Sequence, residues 1–216
     1  MPRLLSLFDG TGSICTFFRE AGWEISSVDI DGRFGTTICE DILLWDFQNE
    51  PVPDIIFSGV PCTEYSQAKT RGARNFALAD RLVEKQWEII EYFLNKNPLL
   101  FYFIENPCYS LLWKRKCAQP FTNKTVTLDY CAYGAPYRKR TRLATNSLYV
   151  PRDLCNPSIC LGCPNGKTHD FTAQKGPTRG KDFKKDLFKT DQLHRYPESL
   201  CLEIFEFCQN SLWEIL

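Results

Sequence analysis

The chain reads as an α/β protein: a doubly wound sheet followed by a small, loop-rich C-terminal appendage. Three observations carry that reading. Short apolar runs alternate with helical patterns through the first half of the chain. Beyond Val150, Pro, Gly, Cys, Lys and Asn replace periodic apolar residues. A length of 216 residues suits one core-forming domain with a modest addition.

The elements follow in order. Arg3–Phe8 is an apolar strand running into Asp9-Gly10-Thr11-Gly12-Ser13, and Ile14–Ala21 is a helix closed by Gly22. Glu24–Ile30 is a second strand with Asp29 and Asp31 at its end, and a third precedes Asp41. Asp54–Ser58, bounded by Pro53 and Gly59, is a buried strand. Asp80–Asn95 has helical spacing at Leu82, Trp87, Ile90 and Phe93. Leu99–Ile104 is unbroken and apolar before Glu105-Asn106-Pro107, as in a parallel strand covered on both faces. Val126–Tyr130 and Leu143–Tyr149 are shorter strands flanking a basic turn, and Leu200–Leu212 is a closing amphipathic helix. The expected units are residues 1–149, an appendage over 150–190, and 191–216 returning to the first unit.

Composition narrows the function. No apolar run approaches the roughly 20 residues of a membrane span, and the N-terminus turns acidic too early for a signal peptide. Eleven cysteines in such a chain read as reduced thiols, a metal site or a catalytic thiol. A soluble, intracellular protein with no membrane partner is expected. The net charge of zero conceals an asymmetry. Residues 1–109 carry 9 Lys/Arg against 16 Asp/Glu; residues 110–195 carry 17 against 6; residues 196–216 carry 0 against 4. A polyanion would meet the middle-to-late segment.

Four groups of residues carry chemistry. Gly10-Thr11-Gly12, between a strand and a helix, lets the backbone approach a ligand and aims N–H groups at it. Asp29 at the end of strand two is placed for ribose hydroxyls, and Asp41-Ile42 for an adenine edge and face. Singly these are equally helix caps or loop residues. Together they outline an adenosine-type pocket, and the missing third glycine argues against a dinucleotide. Cys62, after Gly59-Val60-Pro61, lies just beyond a buried strand, where open α/β sheets bind substrates. Glu105 ends another apolar strand, so it reaches the same edge, where burial raises a carboxyl towards neutrality. Finally, Arg138-Lys139-Arg140-Thr141-Arg142 packs four cations into five residues; in an extended segment Arg138, Arg140 and Arg142 share a face suited to phosphates or carbonyl oxygens.

These motifs, in this order across about residues 3–146, resemble the DNA (cytosine-5) methyltransferase family. The resemblance implies a Rossmann-like, S-adenosyl-L-methionine (AdoMet)-dependent methyltransferase sheet. Phe8, Gly10, Thr11 and Gly12 resemble the family's AdoMet loop, Asp29 and Asp41 its ribose and adenine ligands, with Ile30, Ile42, Gly59 and Pro61 beside them. Gly59-Val60-Pro61-Cys62 resembles its catalytic loop, Glu105-Asn106 its Glu-Asn motif, and Arg138 to Arg142 its Gln-x-Arg-x-Arg motif. The short length resembles compact members carried by phages and large DNA viruses. Implied roles are Cys62 as nucleophile on C6 of a flipped cytosine, Glu105 on the N3 and amino edge, Arg142 on O2, and Arg140 anchoring the loop. The implied partner is double-stranded DNA, met by a monomer. One branch of the family modifies tRNA with the same motifs, and a non-catalytic nucleic-acid-binding homologue is the competing class. The sequence departs from the family at Ser6 (usually Asp), Ile30 (often aromatic), Thr63 (commonly Gln), Arg138 (Gln) and Pro107 (Val), and the Asn of the last motif is not evident near Tyr196–Leu200.

The appendage corresponds to a small target-recognition segment, with Lys181, Lys184 and Lys185 for phosphates. Within it, Cys155-x4-Cys160-x2-Cys163-x5-His169 has metal-ligand character, and zinc would order so apolar-poor a segment. Ordinary reduced loop cysteines are the preferred reading, and no metal ligand is assigned.

Overall fold

A computed structural model describes residues 1–171, 173, 188 and 190–213. Seven strands form one sheet: β1 (Arg3–Leu7), β2 (Glu24–Asp29), β3 (Ile38–Cys39), β4 (Ile55–Ser58), β5 (Phe101–Pro107), β6 (Thr125–Asp129) and β7 (Arg140–Thr145). Their order is β3-β2-β1-β4-β5-β7-β6. The first five pair in parallel, and β7 runs antiparallel between β5 and β6. The tight link from β6, a 3-10 turn over Tyr130–Tyr133 ending at Gly134 (φ 88°), is too short for a crossover, so β7 must return beside its predecessor. The sheet is thus the expected doubly wound, Rossmann-like α/β arrangement.

The strands are apolar throughout because both faces are covered. Alternate residues sort to opposite layers. Leu5, Leu7, Ile56, Tyr102 and Ile104 meet α2 (Phe76–Lys96) on one face. Leu4, Ile55, Phe57, Phe103 and Leu143 meet α1 (Cys15–Glu20) and α4 (Glu198–Trp213) on the other. Helix α2 presents Ala79, Val83, Gln86, Ile90 and Phe93 at three- and four-residue spacing. Its Asn75 side chain accepts from Leu78 N at 3.1 Å, a cap that contributes about 1 kcal/mol. Each fully buried Phe or Leu of these layers contributes about 1.5–3 kcal/mol. A short helix, α3 (Thr190–His194), precedes α4.

The basic run expected in a turn instead leads into β7, whose first half carries Arg140 and Arg142. Arg140 is tolerated there because it has a partner across the ladder. Arg140 lies opposite Asp129 and donates to both carboxylate oxygens, at 2.9 and 2.7 Å. Asp129 is wholly buried and also accepts from Cys155 N at 3.1 Å. Burial opposes its charge, but these donors outweigh that and hold its carboxyl below the usual value. Its stabilising contribution is complete above the unfolded carboxyl pKa of about 3.9 and is lost as pH falls further. Asp129→Ala, which strands Arg140, is expected to cost about 3–5 kcal/mol at neutral pH. Denaturant unfolding checks this: the midpoint should fall with an unchanged slope, and the deficit should shrink towards pH 3.

Candidate active site

Strands β1, β2, β4 and β5 all end at one edge of the sheet, and a cavity of about 1010 Å³ opens there. The β1–α1 loop forms one wall. Phe8 has φ 54°, and among the described residues it alone is a non-glycine with positive φ. Holding a bulky side chain there costs on the order of 1–2 kcal/mol, and such strain concentrates at functional loops. The contorted loop turns Gly10 N to Asp29 Oδ2 at 2.8 Å, while Asp31 N takes Asp29 Oδ1 at 2.8 Å. Asp29 therefore braces the two loops that flank the cavity while lining it.

Phe8, Gly10, Thr11, Ile30, Asp41, Ile42, Gly59 and Pro61 line the same space. Gly12 does not. Its φ of 66° and its N–H bond to Asp9 O at 3.1 Å shape the turn, so its part is conformational. Asp41 is anchored by Leu43 N on Oδ1 at 2.9 Å. Ile30 is 71% exposed, an uncovered apolar surface on the cavity rim. Asp9 escaped the sequence reading. Ser6 stands where an acid was expected, and its hydroxyl donates to Asp9 Oδ1 at 2.6 Å, so the carboxylate is supplied from three residues downstream. Burial raises the Asp9 carboxyl, with the Ser6 and Cys15 hydrogen bonds opposing.

The β4–α2 loop carries Cys62. Asn106, buried at the end of β5, donates to Val60 O at 2.9 Å, and Tyr65 N closes a turn on Cys62 O at 3.0 Å. Arg74 ties the far side, donating to Glu64 O, Ser66 O and Lys69 O at 2.5, 2.9 and 2.9 Å. Such bracing fixes where the thiol points. Burial pushes the Cys62 thiol up, the Glu105 charge adds to this, and Lys139 opposes both.

Glu105 is 7% exposed, and its Oε1 accepts no hydrogen bond. Burial raises its carboxyl, against Lys139 and the hydroxyls of Thr141 and Tyr130. Lys139 Nζ lies 3.9 Å from that Oε1, 3.2 Å from Leu193 O, and over the Tyr130 ring.

Arg140 and Arg142 are not brought to this cavity. In the β5–β7 register Glu105 faces Leu143 and Asn106 faces Arg142. Even-numbered residues of β7 therefore point with Asn106, and Arg142 sits over Trp113 beside Cys108. Odd-numbered Lys139 and Thr141 point with Glu105. The alternation was anticipated, but the working face is offset by one residue, and Lys139 is the cation of this run that lines the cavity.

Tyr196 is a second residue the sequence did not single out. It packs on Phe57 (ring centroids 5.1 Å) and lines the cavity next to Gly59, where a Cβ would fall 2.5 Å from its hydroxyl. A side chain there would have to displace the Tyr196 hydroxyl. Its carrier lies far downstream with no motif around it.

No protein-family model matches the chain, and no curated protein does. Among solved structures it is similar to S. pombe Dnmt2 methyltransferase (14% identity, TM-score 0.47, covering 74% of this chain and 55% of that one). It is likewise similar to a triple mutant of Spodoptera frugiperda DNMT2 (15%, 0.43, 72% and 54%). A third is the Entamoeba histolytica methyltransferase EhMeth (12%, 0.42, 73% and 59%). The chain spans little more than half the length of each. What the site does must follow from its own residues.

Lys139→Met is one way to read them. Lys139 lowers both Cys62 and Glu105, so its loss raises both groups. The alkaline-going rise of thiol reactivity, followed by iodoacetamide labelling of Cys62, should move to higher pH. An unmoved profile would show that Lys139 does not act on the thiol.

Proposed function

We propose that the protein is an AdoMet-dependent methyltransferase acting on C5 of cytosine in double-stranded DNA, as a monomer. One observation carries this reading: a loop-braced cysteine and a buried acid with an unfilled oxygen share a cavity with an adenosine-type wall. The wall fits the cofactor. Asp29 and Asp41 offer carboxylates to hydroxyl and amino groups, Gly10 and Thr11 bring backbone close, and exposed Ile30 offers an apolar face to a flat ring. When bound there, AdoMet supplies an electrophilic methyl group.

The protein's own residues do the rest. The base must leave the duplex stack to reach Cys62, because C5 and C6 are otherwise covered. Cys62 thiolate adds to C6, forming an S–C6 bond and placing electron density on C5 and towards N3. Glu105 Oε1 takes the N3 and amino edge and holds the proton that N3 then needs. Lys139 supplies positive charge to the polarised ring, the role that resemblance alone gave to Arg142. C5 would take the methyl group as the donor's sulfur–methyl bond breaks and leaves neutral S-adenosyl-L-homocysteine; the C5 proton then leaves to solvent, and its electron pair restores the C5–C6 double bond as the S–C6 bond breaks to release Cys62. Two accessible steps replace one that a weakly nucleophilic C5 would make poorly.

The positive segment from residue 110 to 195 supports a polyanionic substrate. The appendage is too short to read many base pairs, so phosphate contacts would dominate binding. Lys181, Lys184 and Lys185, assigned to such contacts, lie outside the described residues. Transfer of labelled methyl to duplex DNA, compared with tRNA, tests the substrate; bisulfite mapping of the product gives the site. Label confined to tRNA would replace the DNA assignment, and no transfer to either would leave a binding homologue.

A further inference from the structure

We propose that Cys131, Cys155, Cys160 and His169 bind a structural zinc ion that clamps the appendage to the β6–β7 turn. The four ligand atoms lie within 4.8 Å of one another. His169 Nε2 is 3.7 Å from Cys155 Sγ and 3.4 Å from Cys160 Sγ. A tetrahedral zinc with Zn–S about 2.3 Å and Zn–N about 2.0–2.1 Å sets its N and S ligands about 3.6 Å apart. Three thiolates and an imidazole at that spacing select zinc over harder cations.

The chosen ligands differ from the sequence pattern. Cys131, on the 3-10 turn after β6, enters from 24 residues upstream of Cys155. Cys163 falls outside the four mutually close ligand atoms: its Sγ lies beside the Cys155 and Cys160 thiols and 3.2 Å from His169 Nδ1, the second ring nitrogen. With Nε2 on the metal, Nδ1 keeps its proton and donates it to Cys163, fixing the ring's tautomer and tilt. Gly162 permits this closure, since a Cβ there would fall 2.9 Å from His169 Cδ2.

The segment needs such a clamp. Among described residues 151–171 Cys163 alone is buried, while Ile159 and Leu161 are 81% and 99% exposed. Apart from Phe171 at its end, the segment puts no side chain against the apolar core. The described cysteines are all free thiols, so no disulfide holds it either. Zinc binding would release the thiol protons to solvent and couple metal to order. The clamp extends towards the cavity: just past His169, Phe171 bridges to Tyr137, and both rings pack on Phe188, which lines it.

Elemental analysis of the full chain, purified without a histidine tag, is expected to find zinc equimolar with protein. Cys131→Ser and His169→Ala should lose it, and Cys163→Ser should keep it. Because a variant missing its metal also loses structure, the wild-type protein exchanged with Co(II) gives a second measure. Its visible spectrum should report tetrahedral cobalt with three thiolates. Zinc absent from the wild type, zinc retained in Cys131→Ser, zinc lost in Cys163→Ser but kept in His169→Ala, or a four-thiolate cobalt spectrum would each overturn the assignment.

Discussion

Cys62→Ser is expected to lower methyl transfer by at least about a thousandfold and to leave no covalent complex with a duplex containing 5-fluorocytosine. Fluorine at C5 cannot depart as a proton does, so wild-type protein that has added its thiol and transferred the methyl group stays attached. Serine keeps the size of the side chain but not its acidity, so it offers far less nucleophilic anion at neutral pH. The loop should survive the change, since its anchors are the Asn106 contact to Val60 O and the Arg74 contacts, none of which involves the thiol. Denaturation-resistant gel mobility reads the adduct, and unfolding midpoints confirm that structure is retained. An adduct that persists in Cys62→Ser would move the nucleophile to another cysteine.

Glu105→Gln should lower turnover by about 10²–10⁴, the range for removing a positioned proton donor. Glutamine fills the same space on β5, so packing changes little. Its amide cannot share a proton with N3, however, and the buried oxygen that Glu105 leaves open would be replaced by a group of fixed polarity. The loss should fall on turnover more than on cofactor binding, because Asp29, Asp41 and Ile30 lie along the other wall. Equilibrium AdoMet binding and single-turnover rates separate the two. Equal losses in both would make Glu105 a structural acid.

The sheet was legible because each parallel strand is an apolar run too short for a helix and ends in polar, loop-forming residues. The placing of Cys62 and Glu105 at one edge was legible for the same reason: Glu105 ends such a run, Cys62 follows one after a three-residue loop, and strands in register bring their ends together. Element limits moved where a partner supplied what local sequence lacked, as when Asp129 allowed Arg140 into β7. The arginine face was misjudged because a strand has a period of two, and one residue of offset exchanges its faces. Nothing in Arg138 to Arg142 alone states which face meets Glu105; the pairing of Asn106 with Arg142 does. Cys131 and Tyr196 were missed because each joins its site through tertiary approach and not through spacing. A pattern of adjacent cysteines drew attention to Cys163, whereas the ligand in space came from a different turn.

Tyr196 also bears on when the protein becomes competent. Its backbone N–H reaches Ser13 Oγ at 3.1 Å, joining residues 183 positions apart, and its ring closes the cavity beside Gly59. A nascent chain that has emerged only through β7 already holds the thiol and the acid but lacks that wall. The cavity is therefore completed late in translation, after the reactive groups have been placed.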